Sequence, residues 1–242
     1  MTACDPTSAA ALAAAANGVV FDKDGTLFDL DARWLPYFES FIDGVADRCD
    51  DPSLGPVLSN VLGVDHDGLI PDRPAAIDTG AQLRDLAVAT LVSRGRDPVA
   101  SLAAVTAAAD AARLGELIPL GDVDSGLRGL AATGRRLGVA TSDGRKNTIA
   151  ELDQSGFIGL FETLRCGDDL GPVKPDPRVL WSIAAEWGMA PSEMLYVGDN
   201  RHDLATARSA GVPFVAVCRA GQGPWPIDAG DAHVHSVDEL LA

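Results

Sequence analysis

The chain is poor in the features that mark several large classes of protein. Four cysteines stand in 242 residues, Cys4, Cys49, Cys166 and Cys218, and no two are spaced as Cys-x-x-Cys. That excludes a zinc-ribbon spacing and gives no disulfide framework. Cys166 and Cys218 lie in or beside apolar strand patterns, so buried thiols in a reduced, cytoplasmic setting are expected. Basic residues are also scarce: 19 Lys and Arg face 35 Asp and Glu, a net charge of −16. This argues against non-specific nucleic-acid binding and against docking on anionic membranes. No apolar run approaches membrane-spanning length. The alanine-rich stretch Ser8 to Ala16 has no basic residue before it, so a secretory signal is not expected. There is no Gly-x-Gly-x-x-Gly after a strand pattern and no Walker sequence, which disfavours a nucleotide-binding oxidoreductase. The histidines His66, His202, His233 and His235 form no ligand cluster, and no internal repeat is present.

What the chain does have is apolar substance and a recurrent way of ending strands. Hydrophobic residues make up 47%, enough for a sizeable core. Val19-Val20-Phe21 is a short apolar run that stops at Asp22-Lys23-Asp24-Gly25-Thr26. Such a run reads as a buried parallel strand, and its carboxyl end is where open α/β sheets place ligands. Asp22 and Asp24 point the same way in extended chain, and two like charges so close call for a proton or a cation between them. Leu137–Thr141 is a second apolar strand, ending in the hydroxyls of Thr141 and Ser142. Lys174 precedes Pro175 in a loop before a helical pattern. Met194–Val197 is a further strand, closed by Gly198-Asp199, with Asp203 four residues on.

Further strands are expected at Thr163–Cys166, Pro213–Val217 and Ala232–His235. Helices are expected near Ser125–Thr133, Asn147–Gln154, Pro177–Trp187 and Leu204–Ser209, with Gly188 and Gly211 as stops. Strand and helix alternate, which predicts an α/β fold: a Rossmann-like parallel sheet with helices on both faces. The interval 29–119 breaks the alternation with helical patterns at Trp34–Val45, Ala81–Arg94 and Val99–Leu117. Between them, Asp50–Pro74 is expected to turn. Residues 17–28 and 120–242 would form the core, and residues 1–16 a flexible tail or a marginal helix. Trp225, between two prolines, reads as a loop anchor packing on the core.

Asp22-Lys23-Asp24-Gly25-Thr26, Thr141, Lys174 and Gly198-Asp199 with Asp203, in that order, resemble the four motifs of the haloacid dehalogenase-like hydrolase superfamily. The resemblance runs from about Gly18 to the C-terminus. It implies a helical cap at 29–119, either gating the site or serving as a helical subdomain without that role. It also implies a magnesium-dependent phosphatase acting through an aspartyl-phosphate on a small phosphorylated metabolite, with a lean toward phosphoglycolate phosphatase-like members. A phosphomutase of the β-phosphoglucomutase type and a regulatory phospho-acceptor are the alternatives. Asp22 would be the nucleophile and Asp24 the general acid and base. The carboxylate at Asp24, absent from carbon–halogen cleaving members, points to phosphoryl transfer. Thr141 and Lys174 would complete the catalytic set. The resemblance implies Mg²⁺ held by the Asp22 carboxylate, the Asp24 backbone carbonyl and Asp199, with Asp203 supporting the centre. Gly25 and Thr26 suit a turn whose N–H groups approach phosphate, and Ser142 would assist. Arg145 either reaches a substrate group or lies on the surface. Among the cap arginines (Arg33, Arg73, Arg84, Arg94, Arg96 and Arg113), Arg33 is the first choice to hold a substrate anion. Lys23 is expected to face away from the nucleophile, packing its stem and solvating its head, with a substrate-binding role as the alternative. A monomer or homodimer is expected.

Overall fold

The computed structural model describes residues 6–218 and 232–241. Cys4 and Trp225 lie outside them, so the expectations placed on those residues go unaddressed. Contacts divide the chain into two compact units: residues 6–29 with 119–218 and 232–241, and Leu30–Ile118.

In chain order the first unit contains α1 (Pro6–Ala15) and β1 (Gly18–Phe21). The second contains α2 (Leu30–Arg48), α3 (Leu54–Leu62), β2 (Val64–Asp65), β3 (Gly68–Leu69), α4 (Pro74–Ile77), α5 (Gly80–Ser93) and α6 (Pro98–Ala111). The first unit resumes with α7 (Val123–Ala132), β4 (Arg136–Ala140), α8 (Arg145–Gln154), β5 (Thr163–Arg165), α9 (Arg178–Trp187), β6 (Met194–Gly198), α10 (Arg201–Ala210), β7 (Phe214–Val217) and β8 (Ala232–Val234). A 3-10 turn at Val237–Leu241 follows.

The first unit is an α/β fold on a six-stranded sheet, ordered β5-β4-β1-β6-β7-β8, with every pairing parallel. The three middle strands are apolar on both faces, as burial by helices on either side requires. All of β1 and β6 is buried, as is β4 after Arg136. Phe21 pairs with Val139 on one side and Val197 on the other, and the ladder runs one residue further, with the Asp22 N–H donating to the Val197 carbonyl at 2.8 Å. This register brings the ends of β1, β4 and β6 level, so Asp22, Thr141 and Asp199 emerge on one edge of the sheet. On one face lies α9, whose Val179, Leu180, Ile183, Ala184 and Trp187 form a single buried stripe. The Trp187 ring sits over β1 and β4 because Gly18 and Gly138 leave room. A Cβ on Gly18 would lie 2.5 Å from the ring. The helix ends at Gly188 in the left-handed region (φ 66°).

One alternative is decided and two local expectations change. Of the tail and the marginal helix, residues 6–15 take the helix, α1, with Ala9 and Ala13 buried and the helix packed on β8 and the 3-10 turn. An isolated ten-residue helix is marginal in water. Here Arg135 caps it, its guanidinium donating to the carbonyls of Ala13, Ala14 and Ala16 at 2.8, 2.9 and 3.1 Å.

The segment Asp50–Pro74 is not all turn. Leu54, Leu58 and Leu62 fall on one buried face of α3, and Pro56 stands in its first turn, where no N–H partner is lost. A short antiparallel pair, β2 with β3, follows.

The helix expected over Val99–Leu117 stops at Ala111. Gly115 then runs against α2, its N–H donating to the Arg33 carbonyl at 2.8 Å, where a Cβ would lie 2.1 Å from the Ala32 oxygen. The second unit is otherwise held by Phe38, Phe41, Ile42 and Val45 of α2 against α3, Leu91 of α5 and Val105 of α6. Among the described residues, no helix is long and apolar enough to cross a membrane.

Candidate active site

The loop after β1 is a tight turn. The N–H groups of Leu27 and Phe28 converge on the Lys23 carbonyl at 2.8 and 3.1 Å, and the Gly25 N–H donates to the Phe28 carbonyl at 2.7 Å. That last bond corrects one expectation, since the Gly25 N–H is spent inside the turn. Gly25 is needed for shape instead. Its φ of 85° suits glycine, and a Cβ there would lie 2.0 Å from Asp199 Oδ2. The turn thus sits against the carboxylate that ends β6. Thr26 Oγ1 is buried and has no hydrogen-bond partner among the described residues.

Asp22, Asp199 and Asp203 each offer a carboxylate oxygen within 4.8 Å of the others. Lys174, buried in the loop before α9, donates to Asp22 Oδ1 at 2.8 Å and to Asp203 Oδ1 at 2.7 Å. Two of the three carboxylates therefore share one ammonium. Burial pushes the Asp22 carboxyl well above the ordinary range; Lys174 opposes this, while Asp203 and Asp199 add to it. Burial works against the Lys174 ammonium too, but Asp203 and Asp22 outweigh it and its pKa rises.

Asp203 is held on every side. Lys174 and the Tyr196 hydroxyl (2.8 Å) meet Oδ1, and the N–H groups of Asp199 and Asn200 reach Oδ2 at 3.1 and 3.3 Å. It also closes the capping box with Asn200 that starts α10. So Asp203 anchors Lys174 and the Asp199 loop, and its oxygens are committed to protein donors. The cluster is all-oxygen and buried, and the Gly25 turn lets the Asp199 carboxylate lie close against the backbone. This donor set fits a hard divalent cation.

Thr141 follows β4, and its Oγ1 accepts the Asp143 N–H at 3.1 Å, which leaves the hydroxyl proton to donate. Ser142 beside it is half-buried.

Lys23 differs from expectation. Its head is not solvated: the side chain is 0% exposed. Nζ donates to Asp24 Oδ1 at 2.9 Å, lies 3.1 Å from Asp143 Oδ2 and makes a close ion pair with Glu151 of α8. Asn147 ties the far carboxylates together, donating to Asp143 Oδ2 at 2.6 Å and Glu151 Oε1 at 3.0 Å. Burial opposes the Lys23 charge, but the three carboxylates prevail and hold its pKa above the ordinary value. The distant partners come from the loop after β4 and from α8, which a local reading of the motif does not see.

Arg145 makes a two-pronged pair with Asp169, at 2.6 and 2.7 Å, and donates to the Leu164 carbonyl at 3.0 Å. Its guanidinium is engaged in bracing a loop. Arg33 belongs to the second unit, where Nη1 donates to the Gly115 carbonyl at 2.5 Å. Tyr196, Asp143, Asn147 and Glu151 escaped the sequence reading. For Tyr196 the available signal was a polar tip inside an otherwise apolar strand.

A model of the haloacid dehalogenase-like hydrolase family matches residues 82–217, more than half of the chain. Among curated relatives, a phosphoglycolate phosphatase from Thiobacillus denitrificans is 34% identical over 99 residues, 41% of this chain and 44% of that protein. Another, from Yersinia pseudotuberculosis, is 29% identical over 214 residues, 84% of this chain and 81% of that one. The matches to the first three curated relatives span about half of those proteins' length. The crystal structure of a predicted phosphoglycolate phosphatase from Haemophilus somnus superposes with a TM-score of 0.67 at 21% identity, covering 93% of this chain and 96% of that one. That likeness establishes the fold. With the family model spanning α5 to β7, the chain belongs to the haloacid dehalogenase-like hydrolase family.

Proposed function

We propose that the protein is a magnesium-dependent phosphatase of a small phosphorylated metabolite. The observation that carries this reading is Lys174 bridging Asp22 and Asp203 beside Asp199, on the carboxyl edge of the sheet. A net acidic chain still holds one buried ammonium where an incoming phosphoryl group would need it.

In this reading Asp22 attacks phosphorus, forming the aspartyl-phosphate as the bond to the leaving oxygen breaks. Asp24 gives that oxygen a proton. It then takes a proton from the water that attacks the aspartyl-phosphate, and inorganic phosphate leaves. Lys174 and the Thr141 hydroxyl offset charge on the phosphoryl oxygens. Mg²⁺, held by Asp22 and Asp199 with the Asp24 carbonyl, would supply charge neutralisation and favour the ionised Asp22 that attack requires. Asp203 acts through Lys174 and the Asp199 loop. Phosphoglycolate is the first substrate to try, because the matched relatives carry that name.

The test is inorganic phosphate release from phosphoglycolate and a panel of sugar phosphates with Mg²⁺. Release that vanishes in Asp22→Asn and on chelation supports the reading. Isomerised product without free phosphate would replace it with the mutase. A stable phosphoprotein with no turnover would replace it with a phospho-acceptor.

A further inference from the structure

Lys23 has no part in the chemistry above, yet it is fully buried and meets three carboxylates. A buried lysine is costly, and a methionine would fill the same space without charge. Its partners are informative. Asp24 is the proposed proton carrier. Asp143 lies two residues beyond Thr141, and its backbone N–H is the one that bonds Thr141 Oγ1. Glu151 belongs to α8 and is joined to Asp143 through Asn147.

We propose that Lys23 is a positioning residue. Its ammonium fixes the Asp24 carboxylate through Oδ1 and ties the loop after β1 to the loop after β4. The proton carrier and the Thr141 hydroxyl thereby share one rigid frame. Lys23 itself touches neither the phosphoryl group nor the leaving oxygen. The proton still moves from Asp24 to the leaving oxygen as the P–O bond breaks, and from water to Asp24 in the second step. Such transfers need the carrier within hydrogen-bond reach, and a misplacement of about 1 Å can cost about 10²-fold in rate. The proposal rests on the phosphatase reading and adds to it the residue that aims the acid.

The experiment is a cycle of Lys23→Met, Asp24→Asn and the double variant, followed by phosphate release from an alkyl phosphoester and by rapid mixing with 4-nitrophenyl phosphate. Lys23→Met is expected to lower kcat on the alkyl ester about 10²-fold with KM little changed. In the Asp24→Asn background the same change should matter by no more than about twofold, because the group it positions is already gone. The aryl ester needs little protonation to leave. Lys23→Met should therefore still give a nitrophenolate burst near wild-type rate, followed by slow turnover. Equal losses in both backgrounds, or equal losses on both esters in the first step, would overturn the proposal and leave Lys23 a structural residue. Should Lys23→Met fail to fold by circular dichroism, the cycle is run on Lys23→Met with Glu151→Gln, which removes a matching carboxylate. A wild-type protein that turns over no phosphoester overturns the functional reading and this proposal together. A turning-over enzyme with an additive cycle overturns this proposal alone.

Discussion

Replacing Asp143 by asparagine should change how stability depends on pH, in a direction that the buried cluster dictates. The Asp143 side chain is 7% exposed. Burial pushes its carboxyl from an ordinary value near 3.8 to about 6; Lys23 pulls the other way, Asp24 and Glu151 add to the rise, and the Asn147 amide lowers it. A carboxyl whose pKa is raised on folding binds its proton more tightly in the folded state. Its contribution to stability is full below about 3.8 and is lost as pH rises through about 6. The loss amounts to about 3 kcal/mol by pH 7. For a chain of this size it corresponds to about 6–12 °C in Tm. Asparagine cannot titrate. Its amide oxygen can still accept the Gly144 N–H that Asp143 Oδ1 accepts at 2.7 Å, while the amide nitrogen gives up the bond that Oδ2 accepts from Asn147. The stability of Asp143→Asn minus that of wild type should therefore climb by about 2 kcal/mol between pH 4 and pH 7. Urea denaturation at half-unit pH steps, in chelator, measures that difference directly. A difference that stays flat would mean the folded cluster does not hold the extra proton, and the electrostatic account of Lys23 and its partners would be wrong.

Other outcomes follow from the site. Gly25→Ala should weaken Mg²⁺ binding by calorimetry and lower stability by about 1–3 kcal/mol, since the residue needs a left-handed φ and its methyl would displace Asp199. Lys174→Met should abolish phosphate release and cost about 3–5 kcal/mol in denaturant melts, because two buried carboxylates lose their partner. Adding Asp203→Asn to Lys174→Met should recover part of that stability and none of the turnover. Arg145→Ala should leave KM for the best phosphoester near wild type and lower stability by less than about 1 kcal/mol, as expected of a partly exposed pair with Asp169. A large rise in KM would return Arg145 to the substrate.

The parts of the fold legible in the sequence are those whose physics is local. β1, β4 and β6 are buried on both faces, so they read as unbroken apolar runs, and each ends abruptly at a polar residue. Gly188 and Gly211 end helices by a property of glycine itself. What escaped depends on partners distant in the chain. The stripe of Leu54, Leu58 and Leu62 was hidden behind prolines and glycines that suit a first helical turn as well as a loop. The helix α1 is short and nearly all alanine, and only its contacts with β8 and Arg135 explain why it holds. The same division runs through the site. Asp22, Lys174, Asp199 and Asp203, named from strand ends and order, come together in the structure. The burial of Lys23 depends on Asp143 and Glu151, over a hundred residues away. No pattern around Lys23 announces them.

The central position of β1 has a consequence for how the chain reaches this fold. Both neighbours of β1 lie over a hundred residues downstream, so its ladders join the start of the chain to β4 and β6. Contacts of such long range are entropically slow to form, although each doubling of the loop costs only about 0.6 kcal/mol at equilibrium. The inserted unit, by contrast, is built from one continuous stretch. On the ribosome, residues 30–118 can complete their own core early, whereas β1 must wait with an unpaired apolar edge until β6 has emerged. Synthesis rate and chaperone supply should therefore govern the yield of this protein more than its final stability does.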